Sequence, residues 1–208
     1  MNALFVGFAR QVPIQRQGCL FLCDDVPDVK RARVFDYRCH SINPLRNISY
    51  KKAREIADVL YTISPQGENT LTVRNGRRAL LKALLSADRL DRIQSDDEEV
   101  RGLIDDILVS PVLRSVLCRP QNFSLNPRSV ILARLNRAEI GEFDCLVLGL
   151  FLAASFEGTI CVPDAGFYLR DAHRSLIREN RLVLGVNHLS ELSPKLRAAA
   201  LLIENKTP

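Results

Sequence analysis

The chain has 208 residues, 47% hydrophobic and 25% charged, a balance that excludes a disordered, collagen-like or low-complexity protein. That length suits one ordinary domain and is tight for two. Its 29 basic and 24 acidic side chains leave a net charge of +5, which permits an anionic partner without requiring one. The basic residues divide into 23 arginines and 6 lysines. Arginine favours planar, bidentate contacts with carboxylate or phosphate, although a GC-rich genome produces the same bias.

The first section, to about residue 48, reads as irregular. Its N-terminal apolar run, Leu4 to Phe8, has no basic lead and is stopped by Arg10. No secretory signal is expected, and the cytoplasm is the expected compartment. Short strands are predicted at Cys19–Leu22 and Arg33–Phe35, on either side of an acidic turn (Asp24, Asp25, Asp28). Asn43-Pro44 marks a turn before the next element. The six cysteines do not form a disulfide framework. Cys19 and Cys23 with Cys39-His40 allow a zinc site to be imagined, but the spacing lacks two tight ligand pairs.

From Ser49 to Leu117 the pattern is helical. Ala53, Ile56, Ala57 and Leu60 share one face behind a Ser49 cap, and Ala79, Leu80, Ala83 and Leu84 make a second stripe. Gly67 and Asn75-Gly76 read as punctuation between helices. A further helix is predicted from Ser95, with Glu98 completing a capping box. Val100, Leu103, Ile104, Ile107 and Leu108 form its apolar face.

After Asn126-Pro127 the pattern alternates. Val130–Leu135 reads as a strand and Phe143–Ala154 as a helix. Thr159–Val162 follows as a strand, Asp171–Glu179 as a helix and Leu182–Val186 as a strand. A last helix runs through Leu196, and Leu201–Ile203 closes the series as a strand. The uncharged run Cys145–Phe156 is twelve residues long, short of the ~20 that a membrane span needs. It predicts a buried core helix. Wholly apolar strands that alternate with helices predict a parallel sheet covered on both faces. The expected architecture is a single α/β domain over 1–208, with a mainly helical insertion at 49–117 and an alternating core at 128–203.

Ligands of open parallel sheets bind beyond the carboxyl ends of the strands. Two such ends carry polar residues: Asp164 after Thr159–Val162, and Asn187 after Leu182–Val186. If sequential strands are neighbours, Asp164 and Asn187 share one rim. Two roles remain open for Asp164, a functional acid in a cleft or a cap for the helix that follows.

At these residues the chain resembles the second half of the HerA/FtsK-type and TraG/TraD-like P-loop ATPases, over about Arg33 to Leu192. Four apolar residues ending in an acid resemble the Walker B element of those DNA-pumping motors. Asp164 matches its magnesium-handling acid, and Asn187 matches the polar sensor, where the family usually has Gln. Asn43-Pro44-Leu45 and the helices after it resemble the insertion after the family's second strand. The resemblance implies an incomplete RecA-like parallel-sheet core, with Asp164 and Asn187 in catalytic positions and Asp164 as the metal ligand.

The departures from that pattern concern phosphoryl transfer itself. No Gly-Lys-Ser or Gly-Lys-Thr occurs in these 208 residues, and that motif's amides and lysine are what cradle the phosphates. Ala165 stands where the family has a second acid. The resemblance therefore implies a degenerate or partial subunit that does not hydrolyse ATP alone. ATP and magnesium would serve only if another chain supplied the P-loop. DNA, a P-loop-bearing partner chain and an oligomer are the partners it implies. A scaffold that keeps only the sheet is the other reading.

Among basic groups, Arg74, Arg77 and Arg78 form the densest cluster, read as a turn before a helix and suited to DNA phosphates or simply to solvent. Arg170, Arg174, Arg178 and Arg181 recur at helical spacing, and His173 lies among them.

Overall fold

The computed structural model describes residues 3–6, 18–24, 28–63, 70–169 and 182–198. In chain order its strands are β1 (Ala3–Val6), β2 (Cys19–Cys23), β3 (Arg33–Asp36), β4 (Val130–Arg134), β5 (Thr159–Val162) and β6 (Leu182–Val186). The helices are α1 (Tyr50–Ile63), α2 (Thr70–Ser86), α3 (Glu98–Val109), α4 (Pro111–Leu117), α5 (Arg137–Ile140), α6 (Glu142–Ser155) and α7 (Ala165–Tyr168). The chain is α/β with an all-parallel sheet, the layout of an incomplete RecA-like core. Its residues form two compact units: 1–36, 125–139 and 156–208 in one, 37–124 and 140–155 in the other.

The first unit holds the whole sheet, in the order β1-β6-β5-β2-β4-β3. Every neighbouring pair is parallel, with Phe21 of β2 opposite both Leu132 of β4 and Cys161 of β5. β2 and β6 are buried at all five positions, as expected for strands in a sheet covered on both sides. Cys19, Phe21 and Cys23 project to one face and pack with Leu132, Cys161 and Val183. Two of the imagined zinc ligands are thus core hydrophobes, and among the described residues no group of three His, Cys, Asp or Glu side chains is placed to hold a metal. β3 lies at a sheet edge, which is why Arg33 and Val34 are exposed while Phe35 is fully buried. β1 lies at the opposite edge.

The second unit is helical. Ser49 caps α1 as expected, its hydroxyl accepting from the Lys52 amide at 3.3 Å, and Ala53, Ile56, Ala57 and Leu60 are all buried. α2 runs unbroken through Asn75-Gly76, so the expected turn there is corrected: a local breaker signal has yielded to packing. A Cβ on Gly76 would lie 1.8 Å from the Tyr61 hydroxyl, so the glycine serves close approach of α1 and α2. α3 begins two residues later than the capping-box reading. Asp97, instead of Ser95, accepts from the Val100 amide at 3.1 Å. Ser110 both caps α4, accepting from the Leu113 amide, and donates to Asp144 of α6 at 2.5 Å. Burial pushes the Asp144 carboxyl above its ordinary range, and the Ser110 hydrogen bond works against that rise. The uncharged run sits in α6, with nine buried residues from Cys145 to Ala154.

Among the described residues no helix is long and apolar enough to cross a membrane. The predicted helix at Asp171–Glu179, with its arginines and His173, and the strand at Leu201–Ile203 lie outside the described residues.

Candidate functional site at the carboxyl edge of the sheet

The strand order fixes where a site belongs. After β2 the chain moves to β3 on one side of the sheet, and after β4 it crosses β2 to reach β5 on the other. The carboxyl ends of β2 and β5 therefore flank a switch point, the usual ligand position in open α/β sheets.

Three charged residues converge there. β2 runs into Asp24, and β5 runs through Pro163 into Asp164. Beyond β4 the Leu135 amide still donates to the Cys23 carbonyl at 2.8 Å, which carries Arg137, the first residue of α5, over the ends of the central strands. Its guanidinium reaches both carboxylates, Nη2 to Asp24 Oδ2 and Nη1 to Asp164 Oδ2, each at 2.9 Å. The Arg137 Cζ also stacks 4.4 Å from the centre of the Phe167 ring. Burial disfavours the charge on Arg137, but Asp24 and Asp164 outweigh it and hold the guanidinium above its ordinary range.

Asp164 has a second task. Its Oδ1 accepts from the Phe167 amide at 3.2 Å and so caps α7. Of the two roles open for this acid, the geometry has the cap, reinforced by an ion pair. Ala165, where the resembled family has a second acid, is fully buried. An acid there would have to give up its water.

β5 and β6 are neighbours, as expected, with Val162 opposite Leu184. Asp164 and Asn187 therefore lie on the same rim. Asn187 is exposed, and its amide donates to Glu191 Oε2 at 3.2 Å while the His188 amide donates to Glu191 Oε1 at 3.3 Å. Glu191 in turn packs against Gly166 of α7, where a Cβ would come within 2.7 Å of the Glu191 Cβ. Sequence reading named Asp164 and Asn187 but not Arg137, Asp24 as a partner, or Glu191. The spacing His188-x-x-Glu191, a capping box, was the one local signal available.

The basic cluster divides along α2. Arg77 leans toward α1, with Nη1 3.9 Å from Asp58. Arg78 and Lys82 are exposed four residues apart and share a face; Lys82 was not part of the expected cluster. Arg74 lies one turn before Arg78 in the same helix. Over its described residues the helical unit carries 14 basic and 12 acidic side chains, so its net charge is close to neutral. The chain matches no protein-family model, no curated protein and no solved structure.

Proposed function

We propose that this chain is a non-hydrolysing, cytoplasmic subunit built on a sheet resembling that of the HerA/FtsK-type DNA-pumping ATPases, and used for binding instead of phosphoryl transfer. The observation that carries this reading is Arg137 between Asp24 and Asp164. A Walker B acid serves by offering free carboxylate oxygens to a magnesium ion or its waters. Here the carboxylate is already paired with a cation that cannot be deprotonated and is committed to a helix cap. The absent Gly-Lys-Ser/Thr motif and the buried Ala165 support the same reading. Any nucleotide chemistry then comes from a P-loop on a partner chain, and Asn187, exposed on the same rim as the committed Asp164, is the residue left to face it.

A scaffold with no motor partner is the second reading, favoured by the near-neutral charge of the helical unit. DNA separates the two. A subunit that touches DNA through Arg74, Arg77 and Arg78 binds duplexes in a steeply salt-dependent way, and loses that binding when all three become alanine; a scaffold shows neither effect.

The purified chain is expected to turn over ATP no faster than a buffer control, with Asp164→Ala making no difference. A phosphate-release assay checks this. Turnover that copurifies with the chain and disappears in Asp164→Ala contradicts the proposal.

A further inference from the structure

Of the six cysteines, five are buried and only Cys39 is exposed. Its Sγ lies 3.6 Å from Nδ1 of His40, within hydrogen-bond reach for sulfur. The imidazole is held against the buried ring of Phe123, with centroids 4.7 Å apart. The backbone around the pair is fixed as well. Asn122 Nδ2 donates to the Cys39 carbonyl at 2.9 Å, and Asn122 Oδ1 accepts from the Ser41 amide at 2.7 Å. Ser41, itself only 2% exposed, donates its hydroxyl to the Pro120 carbonyl at 2.6 Å. Three parts are thus in place: a thiol open to solvent, a base in contact with it, and a scaffold that orients the base. That is the arrangement of an activated nucleophile.

The charges nearby fit an anionic reagent. Segments 37–49 and 116–124, which hold the pair between them, carry Arg38, Arg46 and Arg119 and no Asp or Glu. Arginines at such a surface draw in anions.

We infer that Cys39 and His40 form a thiol–imidazole pair that reacts with anionic small-molecule disulfides, of which glutathione disulfide is the type. His40 Nδ1 takes the thiol proton, and Cys39 Sγ attacks one sulfur of the reagent. The reagent's S–S bond breaks as the new one to Cys39 forms. The leaving thiolate recovers the proton from His40. Cys39 is oxidised and half of the reagent is reduced, so protons and electrons balance without a further reactant.

The test uses the full chain and the aromatic disulfide 5,5′-dithiobis(2-nitrobenzoate) at neutral pH. One thiol is expected to react in a fast phase that Cys39→Ser removes. His40→Gln is expected to slow that phase at least about tenfold, against the roughly 10²–10⁴-fold that a positioned base typically contributes. Glutathione disulfide should add one glutathionyl group by mass to the wild type and none to Cys39→Ser. Circular dichroism reports whether each variant folds. Phe123→Leu, which frees the imidazole without touching the thiol, carries the same expectation of slowing should His40→Gln not fold. A fast phase that survives Cys39→Ser, or an unchanged rate in the folded His40 or Phe123 variant, overturns the inference.

Discussion

Gly158→Ala is expected to lower the stability of the chain by about 2–3 kcal/mol, the upper range for overpacking a tight site. A Cβ at this position would sit 2.5 Å from the Gly18 carbonyl oxygen and 2.5 Å from Cε1 of the Phe156 ring. Neither neighbour can yield easily. The Gly18 oxygen accepts from the Thr159 amide at 2.9 Å, so moving it breaks the contact that starts the pairing of β5 with β2. Gly18 is also held with φ +62°, and a Cβ of its own would lie 2.8 Å from the Pro127 carbonyl. The Phe156 ring is buried. Alanine gains about 0.4–1 kcal/mol by restricting the unfolded chain, which is too little to offset a backbone displacement in the central sheet. Urea unfolding measures the difference, and a variant within about 0.5 kcal/mol of wild type would contradict this account of the strand pair.

In the helical unit, Gly76→Ala is expected to cost about 2 kcal/mol, opposite in sign to what helix propensity says. A mid-helix glycine replaced by alanine ordinarily gains about 1 kcal/mol. Here the new methyl would meet the Tyr61 hydroxyl at 1.8 Å, its Cζ at 2.7 Å and Glu99 Oε2 at 3.1 Å. Tyr61 is only 5% exposed. Burial, followed by the nearby carboxylates of Glu99 and Asp97, pushes its phenol up to about 12. Glu99 is near enough to raise the phenol's proton affinity without forming a well-aligned hydrogen bond, so the hydroxyl stays buried and unpartnered among the described residues. Tyr61→Phe should therefore cost little alone and recover part of the Gly76→Ala loss, a coupling that a double-mutant cycle reads directly. A Gly76→Ala variant more stable than wild type would show that propensity wins.

These two glycines illustrate what the sequence could and could not reveal. The strands Cys19–Cys23, Val130–Arg134, Thr159–Val162 and Leu182–Val186 were legible because a strand buried on both faces is apolar throughout. Helix α6 was legible because its uncharged run is too long for a strand. β1 was missed: four residues near the chain start, paired on one side only, leave no periodic signal. Asn75-Gly76 misled because a glycine kept for close packing against Tyr61 reads like one kept for a turn. The start of α3 shifted because Ser95, Asp96 and Asp97 are all competent caps, and only the backbone path selects among them.

The candidate site divides in the same way. Asp164 could be located because a strand end and an acid are adjacent in sequence. Its partner could not, because Arg137 reaches it from helix α5, beyond a different strand, and binds Asp24 across 113 residues. Side-chain pairs that close a sheet edge are long-range contacts, and no local spacing encodes them.

The claim that Arg137 closes this edge meets its most direct test in a calorimetric titration of the full chain with ATP and magnesium. The unmodified chain is expected to show no saturable heat, with or without magnesium, because Asp164 is already held by a guanidinium and a helix amide. Saturable, magnesium-dependent ATP binding by the unmodified chain, lost in Asp164→Ala, would show that the acid is free to serve a nucleotide and would contradict the account.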